Sequence, residues 1–191
     1  MAAMNTVLEG APSRRLVLRE DEFSGLKPML QAGIGIRAKP GRTLRPFLTA
    51  DLGFDPAYVE ERLQTVLLDG APVDDFDSAT LWPGCTIALS GAMPGLAGAT
   101  MRRGGYYARM REGIAHRDGG NRNAEANPET LVVYVKLFNR ALEDLGRQLI
   151  AGRPVLVDRR WLLGLPGREG QEDMVDSRDD GAVWLTVALD G

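Results

Sequence analysis

Cysteine and histidine are almost absent from this chain of 191 residues, which contains one of each, Cys85 and His116. A single thiol cannot form an internal disulfide, and one thiol with one histidine cannot supply the ligands of a structural zinc site. No cofactor-binding loop or pairing of nucleophile and base is recognisable either, so we expect no metal, no cofactor and no catalytic residue. Cys85 stands at the entry to a predicted buried strand, where we expect it to be unreactive.

Long apolar runs and a strong net charge are also lacking. No segment approaches the ~20 apolar residues of a membrane span, and the first 15 residues do not have the pattern of a secretion signal. We therefore expect a cytoplasmic protein with no membrane partner. The formal net charge is -3, which gives no general attraction to nucleic acid and disfavours it as a partner.

Two shifts in composition divide the chain. Glycine, alanine and arginine dominate residues 90–120, and residues 164–181 are acidic and rich in turn-forming residues. We expect a first unit over residues 1–95, a connecting segment over 96–128 and a second unit over 129–191. The second unit is either a separate small α+β unit or an extension of the first sheet, and its pattern fits both.

The first unit is predicted to be α+β. Leu44, Phe47, Leu48 and Leu52 have the spacing of one helix face, and Gly53 follows where a helix commonly ends. Asp69-Gly70 is a hairpin dipeptide. Strands are expected at residues 15–19, 33–37, 65–68 and 86–90, with the last two in one mixed sheet covered by the helix.

The second unit repeats these patterns. Strands are predicted at residues 131–137, 154–157 and 183–189, and a short helical turn at 161–163. Between the first two strands, Asn139 is expected to cap a helix that ends at Gly152. Its apolar face would consist of Leu142, Leu145, Leu149 and Ile150.

Residues 65–73 (TVLLDGAPV) and 81–89 (LWPGCTIAL), with the order of the predicted elements, resemble the β-grasp, ubiquitin-like proteins of the sulfur-carrier group. That group includes the small subunit of molybdopterin synthase and the thiamine sulfur carrier, and the resemblance covers residues 15–95. Asp69-Gly70 replaces the Asn-Gly of the group, and residues 83–85 keep only the glycine of its later Asp-Gly-Asp. The resemblance implies a sheet with one face covered by a helix and the other open to partners.

Carriers of this group end at Gly-Gly, whose free carboxylate is adenylated and converted to a thiocarboxylate. Here Gly104-Gly105 follows Arg102-Arg103, but the chain continues beyond it. A carrier role would require cleavage after Gly105, so a processed sulfur carrier is only a remote alternative.

The connecting segment carries the strongest local charge. Between residues 102 and 122 there are six arginines and only two acidic residues, with two tyrosines beside them. Guanidinium groups bind carboxylates or phosphates, and tyrosines are frequent in protein interfaces. The candidate partner-binding residues are Arg102, Arg103, Tyr106, Tyr107, Arg109 and Arg111.

Two other interpretations of these residues stay open. A helix through residues 106–114 would bury Tyr107, Met110 and Ile114 and leave its arginines solvated. Alternatively, the arginines would pair with the carboxylates of residues 169–180 in the same molecule.

Together these patterns favour a noncatalytic binding or assembly protein. Its β-grasp-like domain and Gly/Arg/Tyr segment would contact another protein, of unidentified type, or an acidic ligand. The alternative is a small enzyme or enzyme subunit with a carboxylate and arginine pocket between the two units.

Overall fold

The fold is one mixed sheet with helices packed against it. The computed structural model describes residues 11–106, 130–164 and 181–190. The strands are β1 (Ser13–Arg19), β2 (Ile34–Ala38), β3 (Thr65–Leu68), β4 (Ala71–Pro72), β5 (Thr86–Ser90), β6 (Leu131–Phe138), β7 (Pro154–Asp158) and β8 (Ala182–Asp190). The helices are α1 (Lys27–Ala32), α2 (Leu44–Pro46, continued by a π-helical turn at Phe47–Asp51), α3 (Pro56–Glu61), α4 (Gly95–Met101) and α5 (Asn139–Ile150), with 3₁₀ turns at Glu20–Leu26 and Arg159–Gly164.

The eight strands lie in the order β1-β8-β7-β2-β6-β5-β3-β4. The β1/β8 and β5/β6 pairs are parallel, and the other pairs are antiparallel. The α+β class and the mixed sheet are thus confirmed. Of the two alternatives for the strands after residue 129, the structure has the extension of the sheet.

Strand β6 joins the early and late parts of the chain. Val135 of β6 is in register with Ile34 of β2 on one side and with Ile87 of β5 on the other. All three side chains are fully buried in the main hydrophobic core. This row is the middle of the sheet, and its partners come from distant parts of the sequence.

Helix α2 and its continuation follow the predicted apolar stripe. Leu44, Phe47, Leu48 and Leu52 are all buried, and Gly53 ends the helix with a positive φ of 75°. The last carbonyls are held from the other half of the chain, because Arg153 donates from Nη2 to the Leu52 oxygen at 2.8 Å and from Nη1 to the Asp51 oxygen at 3.3 Å. A cation at this position opposes the negative end of the helix dipole, although burial lowers the pKa of Arg153.

The hairpin between β3 and β4 has the predicted turn. Leu68 pairs with Ala71 across the two-residue loop, in which φ is 48° at Asp69 and 82° at Gly70. Two consecutive positive φ values are the requirement that makes Asp-Gly a favoured hairpin sequence. The Asp69 carboxylate also accepts a hydrogen bond from the Thr86 backbone N–H at 2.6 Å, which ties the turn to β5.

Helix α5 has the predicted buried face but a different start. Leu142, Leu145, Leu149 and Ile150 are buried, whereas the expected capping role of Asn139 is wrong. Asn139 is the first helical residue, with φ of 50°, and Phe138 precedes it without a side-chain cap. The Asn139 side chain instead donates from Nδ2 to Ser90 Oγ at 3.1 Å, so it bonds the end of β5 rather than its own helix.

We predict that Gly35→Ala destabilises the centre of the sheet. A Cβ at this position would lie 2.9 Å from Leu156 Cβ and 3.0 Å from Val132 Cγ1, and overpacking of this kind costs about 1 to 3 kcal/mol. Urea denaturation of Gly35→Ala, Val132→Ala and the double variant checks it. The double variant should lose less stability than the sum of the two single losses, because Val132→Ala removes the Cγ1 atom that the new methyl group would meet. Strict additivity would contradict the packing argument.

Candidate functional site

The candidate residues fall in and after α4, in what we call the α4 segment (residues 95–106). Arg102, Arg103 and Tyr106 are described, whereas Tyr107, Arg109 and Arg111 lie outside the described residues. The structure therefore locates three of the six candidates, and these three have different environments.

Arg103 is bound to the body of the protein. Its guanidinium contacts the Glu60 carboxylate on α3 at 3.2 Å and also donates to the Glu60 backbone carbonyl. The same group lies 4.4 Å from the centroid of the Phe76 ring, and the side chain is only 14% exposed. The Arg103 backbone N–H donates to the Gln64 carbonyl at 2.8 Å, so both main chain and side chain attach the segment beside β3.

Arg45 completes an ionic cluster around the same carboxylate. Its guanidinium contacts Glu60 at 3.0 Å and Asp77 at 2.7 Å. The hydrogen bonds from Arg45 and then Arg103 lower the pKa of Glu60, and those to Asp77 and Glu60 raise the pKa of Arg45. We call Arg45, Glu60, Asp77 and Arg103 the Glu60 cluster; its two positive and two negative charges balance one another.

The surface of the α4 segment is partly apolar. Leu96 is 69% exposed and Tyr106 is 90% exposed, and Arg102 between them is exposed as well. Of the other large apolar side chains in the described ranges, only Val17 is comparably exposed, at 56%. Exposed aromatic and aliphatic side chains on a segment that also exposes an arginine are typical of a contact with another protein.

A glycine contact determines how α4 packs on the residues before it. A Cβ placed at Gly98 would overlap the carbonyl oxygen of Met93, so only glycine allows this approach. The small residues of this stretch therefore have a packing role.

Cys85 has the predicted burial. It is fully buried at the entry to β5, and burial raises the pKa of its thiol to about 12. At neutral pH the reactive thiolate is therefore not populated.

The described part of the chain contains no group of three or more His, Cys, Asp or Glu side chains that could hold a metal ion. None of its helices is long and apolar enough to cross a membrane. His116 lies outside the described residues.

Sequence reasoning missed three of the residues that hold the site together. Glu60, Phe76 and Arg45 are 43, 27 and 58 positions from Arg103, and their contacts depend on how α2, α3 and the residues after β4 pack. The charge excess in the sequence indicated that arginines needed partners, but it contained no signal for which carboxylate would pair with which arginine.

We predict that Arg103→Gln lowers stability by about 1 to 2 kcal/mol, because it removes the ionic hydrogen bonds and the contact with the Phe76 ring. Arg103→Lys should recover only part of the loss, since an ammonium lacks the planar fork. Arg102→Gln, at an exposed neighbour, should change stability by less than about 0.5 kcal/mol. Urea denaturation at pH 7 measures all three, and equal losses at the two positions would contradict the anchoring role of Arg103.

The Glu60 cluster should also contribute to the pH dependence of stability. Because the folded state lowers the pKa of Glu60, its contribution is present above the pKa of the unfolded chain, about 4.3, and is lost as the pH falls through the lower folded value. The free-energy difference between wild type and Glu60→Gln should therefore shrink below about pH 4. A difference that grows on acidification would contradict this assignment.

We predict that Cys85 reacts slowly with an aromatic disulfide reagent at pH 8, because the thiol is buried and its pKa is about 12. In denaturing urea the same thiol should react at the rate of a free cysteine. Rapid stoichiometric labelling of the native protein would contradict the burial of this side chain.

Comparison with known proteins does not assign a family to this chain. No family model matches it, and neither the curated proteins nor the solved structures give a match.

Proposed function

We propose that this chain is a noncatalytic binding or assembly protein whose α4 segment contacts another protein or an acidic ligand. The observation that carries the proposal is the combination of exposed Leu96 and Tyr106 with the buried attachment of Arg103. Apolar side chains on a segment that is fixed to the fold lose little conformational freedom when a partner binds.

The charge distribution refines the proposed contact. Arg103 is used within the molecule, because Glu60 and the Phe76 ring occupy its guanidinium. Of the candidate residues that the structure describes, Arg102 and Tyr106 are exposed, and we propose these two for the interface together with exposed Leu96 of the same segment. Tyrosine and arginine are enriched among the residues that contribute most to protein interfaces.

We further propose a β-grasp-like arrangement for part of the sheet. In a β-grasp fold the central strands are a parallel pair, flanked by antiparallel neighbours, with a helix across one face. The order β2-β6-β5-β3-β4, with β6 and β5 parallel and the other pairs antiparallel, supports this arrangement together with the buried stripe of α2. One departure is that β6 follows the other four strands in the sequence instead of preceding them.

The position of β6 argues against the processed sulfur carrier. Cleavage after Gly105 would separate β6, β7 and β8 from the other strands, and β6 is hydrogen-bonded between β2 and β5. A carrier needs a free tail after its last strand, whereas here the chain after β5 returns to the centre of the sheet. This arrangement disfavours the processed sulfur carrier.

The enzyme alternative has less support than binding. The arginines and carboxylates that the structure brings together in the Glu60 cluster bond one another. The buried thiol of Cys85 is not a nucleophile at neutral pH.

Site-specific photocrosslinking tests the proposed interface. A photoreactive phenylalanine analogue at position 106 should crosslink a discrete partner in cells, whereas the same group at the exposed position 39 should not. Leu96→Ser should reduce the yield of the crosslinked product severalfold without changing stability, because it removes an exposed apolar contact. Identical products from positions 106 and 39, or no product at 106, would overturn the proposal.

A salt series separates the two kinds of partner. Binding that weakens only slightly between 50 and 500 mM salt indicates an apolar protein contact, and a steep loss that Arg102→Gln abolishes indicates an acidic ligand. These experiments leave Arg103 unchanged, because its replacement is expected to destabilise the protein.

A further inference from the structure

The two edges of the sheet differ in their capacity to pair with another strand. The β4 edge is two residues long and contains Pro72, which has no N–H to donate. The β1 edge is seven residues long and contains no proline. Short strands and proline are devices that block an edge, and the β1 edge has neither.

The outward backbone groups of β1 follow from its pairing with β8. Trp184 N–H donates to the Pro12 carbonyl at 2.9 Å, and Trp184 is in register with Ser13. Because the N–H and C=O of one strand residue point to the same edge, those of Arg14, Leu16 and Leu18 face β8. The backbone N–H and C=O groups that face away from the sheet belong to Ser13, Arg15, Val17 and Arg19.

Local hydrogen bonds close both ends of this edge. At one end the Arg19 N–H donates to Glu22 Oε2 at 2.9 Å, and at the other the Ser13 carbonyl accepts from Arg14 Nη1 at 3.1 Å. For Arg15 and Val17, no hydrogen-bond partner of the outward N–H and C=O groups occurs in the ranges that the structure describes. Two donors and two acceptors in the middle of β1 are thus available to one added strand.

The side chains along this edge are basic. Arg14, Arg15 and Arg19 are three of the seven residues of β1, and the strand has no acidic residue. Arg19 pairs with Asp21 at 3.5 Å and Glu22 at 3.3 Å, whereas Arg14 and Arg15 have no ion pair with any described residue. A second copy of β1 would bring arginines next to arginines, which disfavours self-pairing.

We propose that β1 accepts an extended, acidic segment of a partner protein as an added strand, hydrogen-bonded to Arg15 and Val17. Main-chain hydrogen bonds hold the segment. Arg15 and Val17 lie on the same face of β1, so on that face the segment has a carboxylate next to Arg15 and, two residues along, an apolar side chain next to exposed Val17. Arg14, on the other face, adds positive charge to the same edge. This surface is distinct from the α4 segment, which is attached beside β3 near the other edge, so the two proposals can fail separately.

Synthetic peptides provide the first test. The probe is a fluorescently labelled peptide of seven residues in which Glu and Val alternate along one face, with Glu at its positions 1 and 5, Val at its positions 3 and 7, and Thr at the other positions. Its controls are the same peptide with Lys in place of Glu and one with alternate backbone amides N-methylated. At 50 mM salt the Glu peptide should bind at least about tenfold more tightly than either control. Equal affinities for the Glu and Lys peptides, or no binding of the Glu peptide, would overturn the proposal.

A matched pair of variants tests the register. Val17→Pro removes an outward N–H that none of the described strands uses, and proline is tolerated at such edge positions, so the protein should still fold. Val17→Thr keeps the N–H and a branched side chain. The Glu peptide should bind Val17→Thr about as well as wild type and Val17→Pro at least about tenfold more weakly; equal binding to both variants would overturn the proposal.

Two further measurements test the role of the arginines and the alternative that the edge pairs with a second copy of the chain. The double variant Arg14→Ser and Arg15→Ser should lose affinity for the Glu peptide at 50 mM salt but match wild type at 500 mM, because the selection is ionic; no difference at either salt would contradict the role of the arginines. Sedimentation over a concentration series tests self-pairing, and a wild-type dimer that Val17→Pro dissociates would assign the edge to a second copy and overturn the proposal.

Discussion

The pairing of β6 between β2 and β5 is the constraint on which the rest of the structure depends. Val135 is buried between Ile34 and Ile87, so strands from the two halves of the chain share one row of the core. Helix α5 follows β6 directly, and Arg153 after that helix holds the last carbonyls of α2. The position of α2 on the sheet therefore depends on a residue that comes about one hundred positions later.

Local elements of the fold could be predicted from the sequence because their signals are local. The stripe from Leu44 to Leu52 has the period of a helix, and Asp69-Gly70 tolerates the positive φ values of its turn. The order of the strands could not be predicted, because alternation of apolar residues indicates a strand without indicating its neighbour. The role of Asn139 could not be predicted either, because its side chain donates a hydrogen bond to Ser90, which is distant in the sequence, instead of capping its own helix.

In the arginine-rich segment, tertiary contacts determine which of the charged side chains are exposed. Arg103 belongs by sequence to a basic run, yet in the fold it is a nearly buried partner of Glu60 and Phe76. The exposed part of the segment is consequently more apolar than its composition indicated, with Leu96 and Tyr106 at the surface. Composition drew attention to the segment as a whole, but the geometry determines which of its side chains are exposed.

The late position of β6 in the sequence also has a consequence for synthesis on the ribosome. Before the residues of β6 have left the exit tunnel, β5 has one edge without its partner strand, and β2 has two, because its neighbours β6 and β7 both come later in the sequence. Contacts between positions so far apart make folding slow, and exposed apolar edges favour association between chains. A nascent chain that stalls before residue 131 would expose these unpaired edges of β2 and β5, so a pause at this point of translation would prolong the time during which neighbouring chains can associate through them.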